Sequence, residues 1–235
     1  MVGLPTRRGA GASGRRGDGK RSARRRLTRY PVADGAGAHD NARMDPGEHN
    51  DEAAVTRWTL STVHPDMWAD PDDDPRETDV ETFDERGTLL DGLRHHRLTM
   101  EMKCAGLDAE QMARRSVPPS TMSLLGLVRH LAEGERHFRR TAGEDLPRIY
   151  RTPEDRDGDW NGAIADPAVV EDAWCQWRAE AELTDRFIAG FADLGPRPGG
   201  DVQLRDILVA QIAEYARHCG HADLLRERID GRVGQ

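Results

Sequence analysis

The chain has 235 residues, 37% apolar and 32% charged, with a formal net charge of −8. That is room for one medium domain plus a tail, and no window approaches the roughly 18 apolar residues of a membrane span. The charge is unevenly spread: residues 1–45 carry a net of +7 and the remainder −15, so the body repels nucleic acid and anionic membranes at long range.

The beginning of the chain lacks the apolar core and small-residue cleavage site of a secretory leader. The cysteines, Cys104, Cys175 and Cys219, form no close-spaced pair. An odd, scattered set fits reduced cytoplasmic thiols better than a disulfide framework. Residues 1–45, rich in Gly, Ala and Arg, cannot bury enough apolar surface to offset their ordering entropy and are expected to be disordered. Two readings stand for them: a basic arm that attracts nucleic acid or membrane, or a solvated extension upstream of a start at Met44 or Met67. Residues 46–79 stay polar and acidic, and Asp70–Pro75 reads as a turn-rich linker.

From residue 80 the pattern becomes helical. Thr82, Asp84 and Glu85 offer cap chemistry, and Leu89, Leu90, Leu93, His96, Leu98 and Met100 recur at helical spacing, predicting a helix over 84–106. Val117-Pro-Pro-Ser120 breaks the chain, because two prolines remove backbone donors and fix φ. A second helix follows from about 124 to 142, with the stripe Leu124, Leu127, Val128, Leu131 and Phe138. Residues 147–167 hold three prolines and two glycines and read as a long irregular connection, either a cover for a site or a crossover. A third helix is expected over 168–194, stopped by the Pro/Gly run at 195–200, and a fourth over 203–229. The expectation is therefore an all-α four-helix bundle over 80–231, antiparallel or with a crossover, behind a disordered extension and linker over 1–79.

Two strips carry chemistry. On the fourth helix Ile207, Gln211, Glu214, His218, His221 and Leu225 share one face, and Glu214 and His218 stand one turn apart. On the second helix Leu127, His130, Gly134 and His137 form the facing strip, with open space at Gly134. One carboxylate and two neutral imidazoles match the ligands of catalytic zinc, and the same set accepts nickel, iron or manganese. A further imidazole, His221 or His137, would orient a ligand or act as acid or base. Glu-x-x-x-His is common on helices, however, and histidines that merely satisfy a backbone partner fit the spacing as well.

Other residues keep two readings. His95 and His96 line a cavity or serve exposed and cap roles. Trp174 and Trp177 are core or a substrate platform. Asp157, Asp159 and Trp160 cover the site, or Trp160 is a packing anchor. Glu133, Glu135 and Arg136 read as solvated helix face, Cys219 as packing, and Arg129 or Arg217 as a mouth arginine that offsets the body's acidity.

The segments Ser120–Arg136 and Glu214–Gly231 resemble the DinB/YfiT-like superfamily, in its actinobacterial branch of unknown function labelled mini-circle proteins. Asp84-Glu-Arg, Lys103–Leu107 and Asp155–Trp160 carry the same resemblance, which covers about 80–231. It implies a DinB-like bundle with a divalent metal, zinc for preference, on His130, Glu214 and His218. Glu at position 214 is similar to the mycothiol-dependent maleylpyruvate isomerases. By that likeness the chain is expected to use a mycothiol-type thiol in S-transfer or isomerisation of a small electrophile; from its place on the strip, His221 is the imidazole expected to be catalytic. The alternative is a non-catalytic metal- or ligand-binding bundle. A homodimer is compatible with this fold, and no residue in the sequence argues for it.

Overall fold

In a computed structural model of the protein, residues 74–77, 84–196 and 202–234 are described, all within the compact unit Asn50–Gln235. The expectations for residues 1–45 and for starts at Met44 and Met67 lie outside them. Six helices follow in order: α1 (Glu85–Cys104), α2 (Ala109–Ala113), α3 (Leu124–Thr141), α4 (Gly158–Asn161), α5 (Pro167–Ala189) and α6 (Leu204–Asp230). Among the described residues the only β pairing is the isolated bridge Pro196–Gln203. The fold is all-α, with four long helices.

Local chemistry sets the helix ends. Asp84 and Ser123 accept from the third backbone N–H of α1 and α3, of Gly87 and Gly126, and Asp166 caps α5 ahead of Pro167 at the first helical position. Gly231, in the left-handed region at φ 78°, closes α6. The third long helix stops at Ala189, short of the expected 194, because the following segment pairs instead with the start of α6: Leu204 and Arg205 donate to the carbonyls of Gly195 and Leu194. The short α2, bounded by an Asp108/Gln111 capping box, and α4 were not expected. Part of the linker is packed rather than free: buried Asp74 holds Arg76, which reaches Thr99, and Arg94 donates to the Arg76 carbonyl.

Helix directions follow from the cross-helix contacts. Glu85–Arg205 and Lys103–Asp223 pair the starts and the ends of α1 and α6, which run parallel. Arg86 donates to the carbonyls of Ile188 and Phe191, while Arg178 meets Glu101, so α1 and α5 are antiparallel. His130 meets Glu214 and Gly134 faces Gln211, which sets α3 antiparallel to α6. It follows that α3 and α5 run parallel, and the chain must travel back along the bundle between them. The 18 residues of α3 span about 27 Å at 1.5 Å per residue. The long connection over 142–166 is thus a crossover, and its route carries it over one face of α3 and α6.

The core is built from Leu93, Met100, Leu127, Leu131, Tyr215, Leu225 and their neighbours. Helix α3 sits at its centre, touched by α2, α4, α5 and α6. That position corrects one sequence expectation. Glu133 and Glu135 are buried and Arg136 is partly buried against Glu180 at 2.5 Å, because α3 has no free polar face along this stretch.

Candidate metal centre

The facing strips of α3 and α6 meet as expected. Glu214 Oε1 lies 3.3 Å from His130 Nε2 and 3.0 Å from His218 Nε2. One donor atom from each of the three residues falls within 4.8 Å of the others, and no other such group of three occurs among the described residues apart from this one. The i, i+4 step on α6 brings Glu214 and His218 together, and the antiparallel packing of α3 delivers His130 from the opposite wall.

The connection supplies the rest. Its short helix α4 places buried Asp159 against the back of His130, with Oδ2 2.9 Å from Nδ1. Arg151 lies 2.9 Å from the same nitrogen, but its Nη2 donates to Asp159 Oδ2 at 2.6 Å. A carboxylate can only accept, so the tautomer that bonds to Asp159 carries its proton on Nδ1, and in that tautomer the lone pair resides on Nε2, facing Glu214. Two acceptors then oppose one another, an arrangement that a cation between them resolves. A carboxylate behind an imidazole is also the usual way a metal-binding histidine is fixed. The residues present therefore fit a divalent ion.

Electrostatics favour the ligating protonation states. Burial opposes ionisation of Asp159, but the hydrogen bonds from His130 and Arg151 outweigh it and hold the carboxyl down at about 2. Glu214 is likewise held below its ordinary value: burial raises it, and the partners His130 and His218 prevail. Burial, reinforced by the neighbouring His130, pushes His218 down to about 4, so the ring is neutral at pH 7. Its Nδ1 stands 3.2 Å from Nδ1 of His221, which gives His221 a hand in choosing the tautomer.

A pH dependence follows for the metal-free protein. His218 binds its proton near pH 4 when folded and near 6.5 when unfolded, so the unfolded chain holds more protons in between. Half-buried His95 and His96 shift the same way, chiefly by desolvation. The histidine contribution to stability should be fully present above about pH 6.5 and decline as pH falls through the window to 4. Urea titrations of chelated protein across that range check this; a flat profile would contradict it.

Small residues and cross-bracing hold the connection in place. Trp160 stacks on the His130 ring with centroids 5.0 Å apart. It fits there because Gly126 has no Cβ, which would fall 2.6 Å from the indole. A Cβ at Gly158 would stand 2.2 Å from the Tyr150 carbonyl oxygen. Glu133 Oε1 accepts from three successive backbone N–H groups, Ile149, Tyr150 and Arg151, at 2.6–3.0 Å. Arg129 stacks on Tyr150 and donates to the carbonyls of Gly158 and Asp159. Arg129 is thus a buried brace and not a mouth arginine. Arg217 is exposed and pairs with the outer oxygen of Glu214 at 2.6 Å.

Beside the triad opens a cavity of about 540 Å³ between α3 and α6, whose walls include His130, Gly134, His137, Arg151, Gln211 and Glu214. His95, His96 and Trp174 are not among its lining residues. Trp177 is core, donating to the Tyr215 hydroxyl at 2.8 Å. Cys219 is buried, its thiol directed at the His96 carbonyl and pushed by burial up to about 12, as packing requires. Of the three residues expected either to cover the site or, for Trp160, to anchor packing, Asp159 and Trp160 touch His130, while Asp157 precedes α4 without a side-chain cap bond. Arg151 and the anchoring role of Glu133 carry no sequence signal, since neither belongs to a spaced motif.

A protein-family model described as Mycothiol-S-transferase matches residues 88–231. The chain belongs to the mycothiol-S-transferase family. The matched span contains all four long helices except the first turn of α1, together with the whole His/Glu/His group. Membership agrees with the DinB-like resemblance and points to a small-molecule substrate. No curated protein and no solved structure matches the chain. No helix among the described residues is long and apolar enough to cross a membrane.

Proposed function

We propose that this protein is a divalent-metal-dependent S-transferase that delivers a low-molecular-weight thiol of the mycothiol type to a small electrophile. The observation that supports it most directly is the convergence of His130, Glu214 and His218 beside an open cavity that His130 and Glu214 line, within a chain of the mycothiol-S-transferase family. The three residues are the proposed ligands, and zinc is the ion their donor set suits best. The ion, when bound, supplies acidity to a thiol, so that a nucleophile exists at neutral pH.

The chain's own residues do the remainder. Asp159 fixes the His130 tautomer through Nδ1, and Trp160 covers the ring's face against water. His221, in contact with His218, is assigned to take the thiol proton. The thiol sulfur then forms a bond to the electrophilic carbon, and the leaving group departs with the electron pair of the bond that breaks. With an activated alkene, the pair moves instead to the neighbouring carbon, which takes the proton back. A non-catalytic metal site would be closed around its ion; the cavity reaching His130 and Glu214 favours the catalytic reading over that alternative.

The test is to incubate metal-loaded protein with mycothiol and a panel of alkyl halides and activated alkenes, and to follow loss of free thiol. The rate should fall by about 100-fold or more in Glu214→Gln, the scale on which an electrostatic group at a reacting centre is missed. Equal rates for the two proteins would leave a binding module and no enzyme.

A further inference from the structure

The cavity wall contains two nitrogen donors without partners, and neither is explained by the ligand triad. Gln211, on α6 one turn before Glu214, is only 7% exposed. Its Nε2 is buried with no hydrogen-bond partner, 3.8 Å from where a Gly134 side chain would begin. Arg151, beside His130 on the crossover, uses Nη2 on Asp159 while its Nε is also buried and unpartnered. Both residues line the same cavity. Leaving a buried donor unsatisfied is costly, and such groups call for an explanation in ligand or function.

The charges around the cavity indicate what would satisfy them. Of its acidic lining residues, Glu133 has its Oε1 committed to three backbone amides, Glu214 is engaged with His218 and Arg217, and Asp206 is exposed. Arg148, Arg151 and His137 line the same space. Two unpaired N–H groups, one of them on a guanidinium, match an acceptor with two oxygens, and the guanidinium favours an anionic one. Phe138 and Ile207 leave an apolar stretch beyond it.

We infer that the cavity between α3 and α6 is a carboxylate-binding subsite, in which Gln211 Nε2 and Arg151 Nε hold the carboxylate of the electrophilic substrate next to the metal centre. This rests on the transferase reading for the word substrate; the carboxylate selectivity stands on the cavity alone.

Calorimetric titration of metal-loaded protein with 4-phenylbutyrate, and with its methyl ester, tests the inference. The acid should bind about tenfold tighter or more, the value of a hydrogen bond to a charged group. In Gln211→Met, which keeps the volume and removes the orphaned donor, that preference should shrink severalfold while the thermal midpoint holds or rises. A stable variant with lost selectivity is not a folding defect. Acid and ester binding alike, or an acid preference undiminished in Gln211→Met, would overturn the subsite. Acid binding that vanishes on chelation and ignores Gln211 would place the carboxylate on the metal, and overturn it as well. A preserved, Gln211-dependent acid preference in a protein with no thiol transfer to any electrophile would sink the transferase and keep the subsite.

Discussion

Protein carrying His218→Ala should retain no more than background zinc by elemental analysis after gel filtration, whereas Asp159→Ala should still fill with metal at saturating concentration but bind it about 10–100-fold more weakly. The two losses differ because the residues do different work. His218 is a proposed ligand, its Nε2 3.0 Å from Glu214 Oε1; without it one carboxylate and one imidazole remain. Asp159 touches no metal position and acts through Nδ1 of His130. Removing it frees the ring to choose either tautomer and leaves Arg151 to compete for the same nitrogen. Competition against a chelator of known affinity measures both variants on one scale. Undiminished metal in His218→Ala would end the triad assignment. Equal losses in the two variants would mean that Asp159 supports the fold and not the imidazole.

Much of the fold was legible because its signals are local. The cap at Asp84, the prolines at 118 and 119, and the Pro/Gly run at 195–200 each mark a boundary by a mechanism confined to a few residues. The His/Glu/His group was legible for a related reason: helical period places Glu214 and His218 on one face, and the resemblance supplied His130 as their partner. What was not legible is cross-chain. The crossover's path depends on Glu133 catching three amides and on Gly126 admitting Trp160, and neither leaves a periodic trace. Charged side chains on α3 were misread for a physical reason as well. Asp, Glu and Arg are almost never fully buried unless paired, and a sequence does not reveal pairings such as Arg139 with Glu180 at 2.6 Å. The Asp108/Gln111 box was the exception, a local signal for α2 that could have been found.

The deepest of those unseen pairings should also be the most sensitive to mutation. Glu135 is completely buried. Arg97 from α1 grips it through Nε and Nη2 at 2.8 and 2.9 Å, Tyr215 from α6 donates to it at 2.6 Å, and Trp177 from α5 donates to that hydroxyl. One carboxylate thus joins all four long helices. Burial and the adjacent Glu135 charge push the Tyr215 hydroxyl far up, so it remains a donor at any pH the fold survives. Replacing Glu135 with leucine strands the Arg97 guanidinium, whose remaining carboxylate partner, Asp185, is half exposed. Breaking a buried pair from one side costs about 3–5 kcal/mol, which for a domain of this size lowers Tm by roughly 10 °C. The double variant Arg97→Met/Glu135→Leu removes both charges, and should recover most of the loss, because a buried ion pair exchanged for apolar side chains of similar volume is often close to neutral. Urea denaturation of the wild type, both single variants and the double variant closes the cycle. A double variant as unstable as the sum of the singles would show that the charges contribute independently, and that the four-helix junction at Glu135 is not a coupled network.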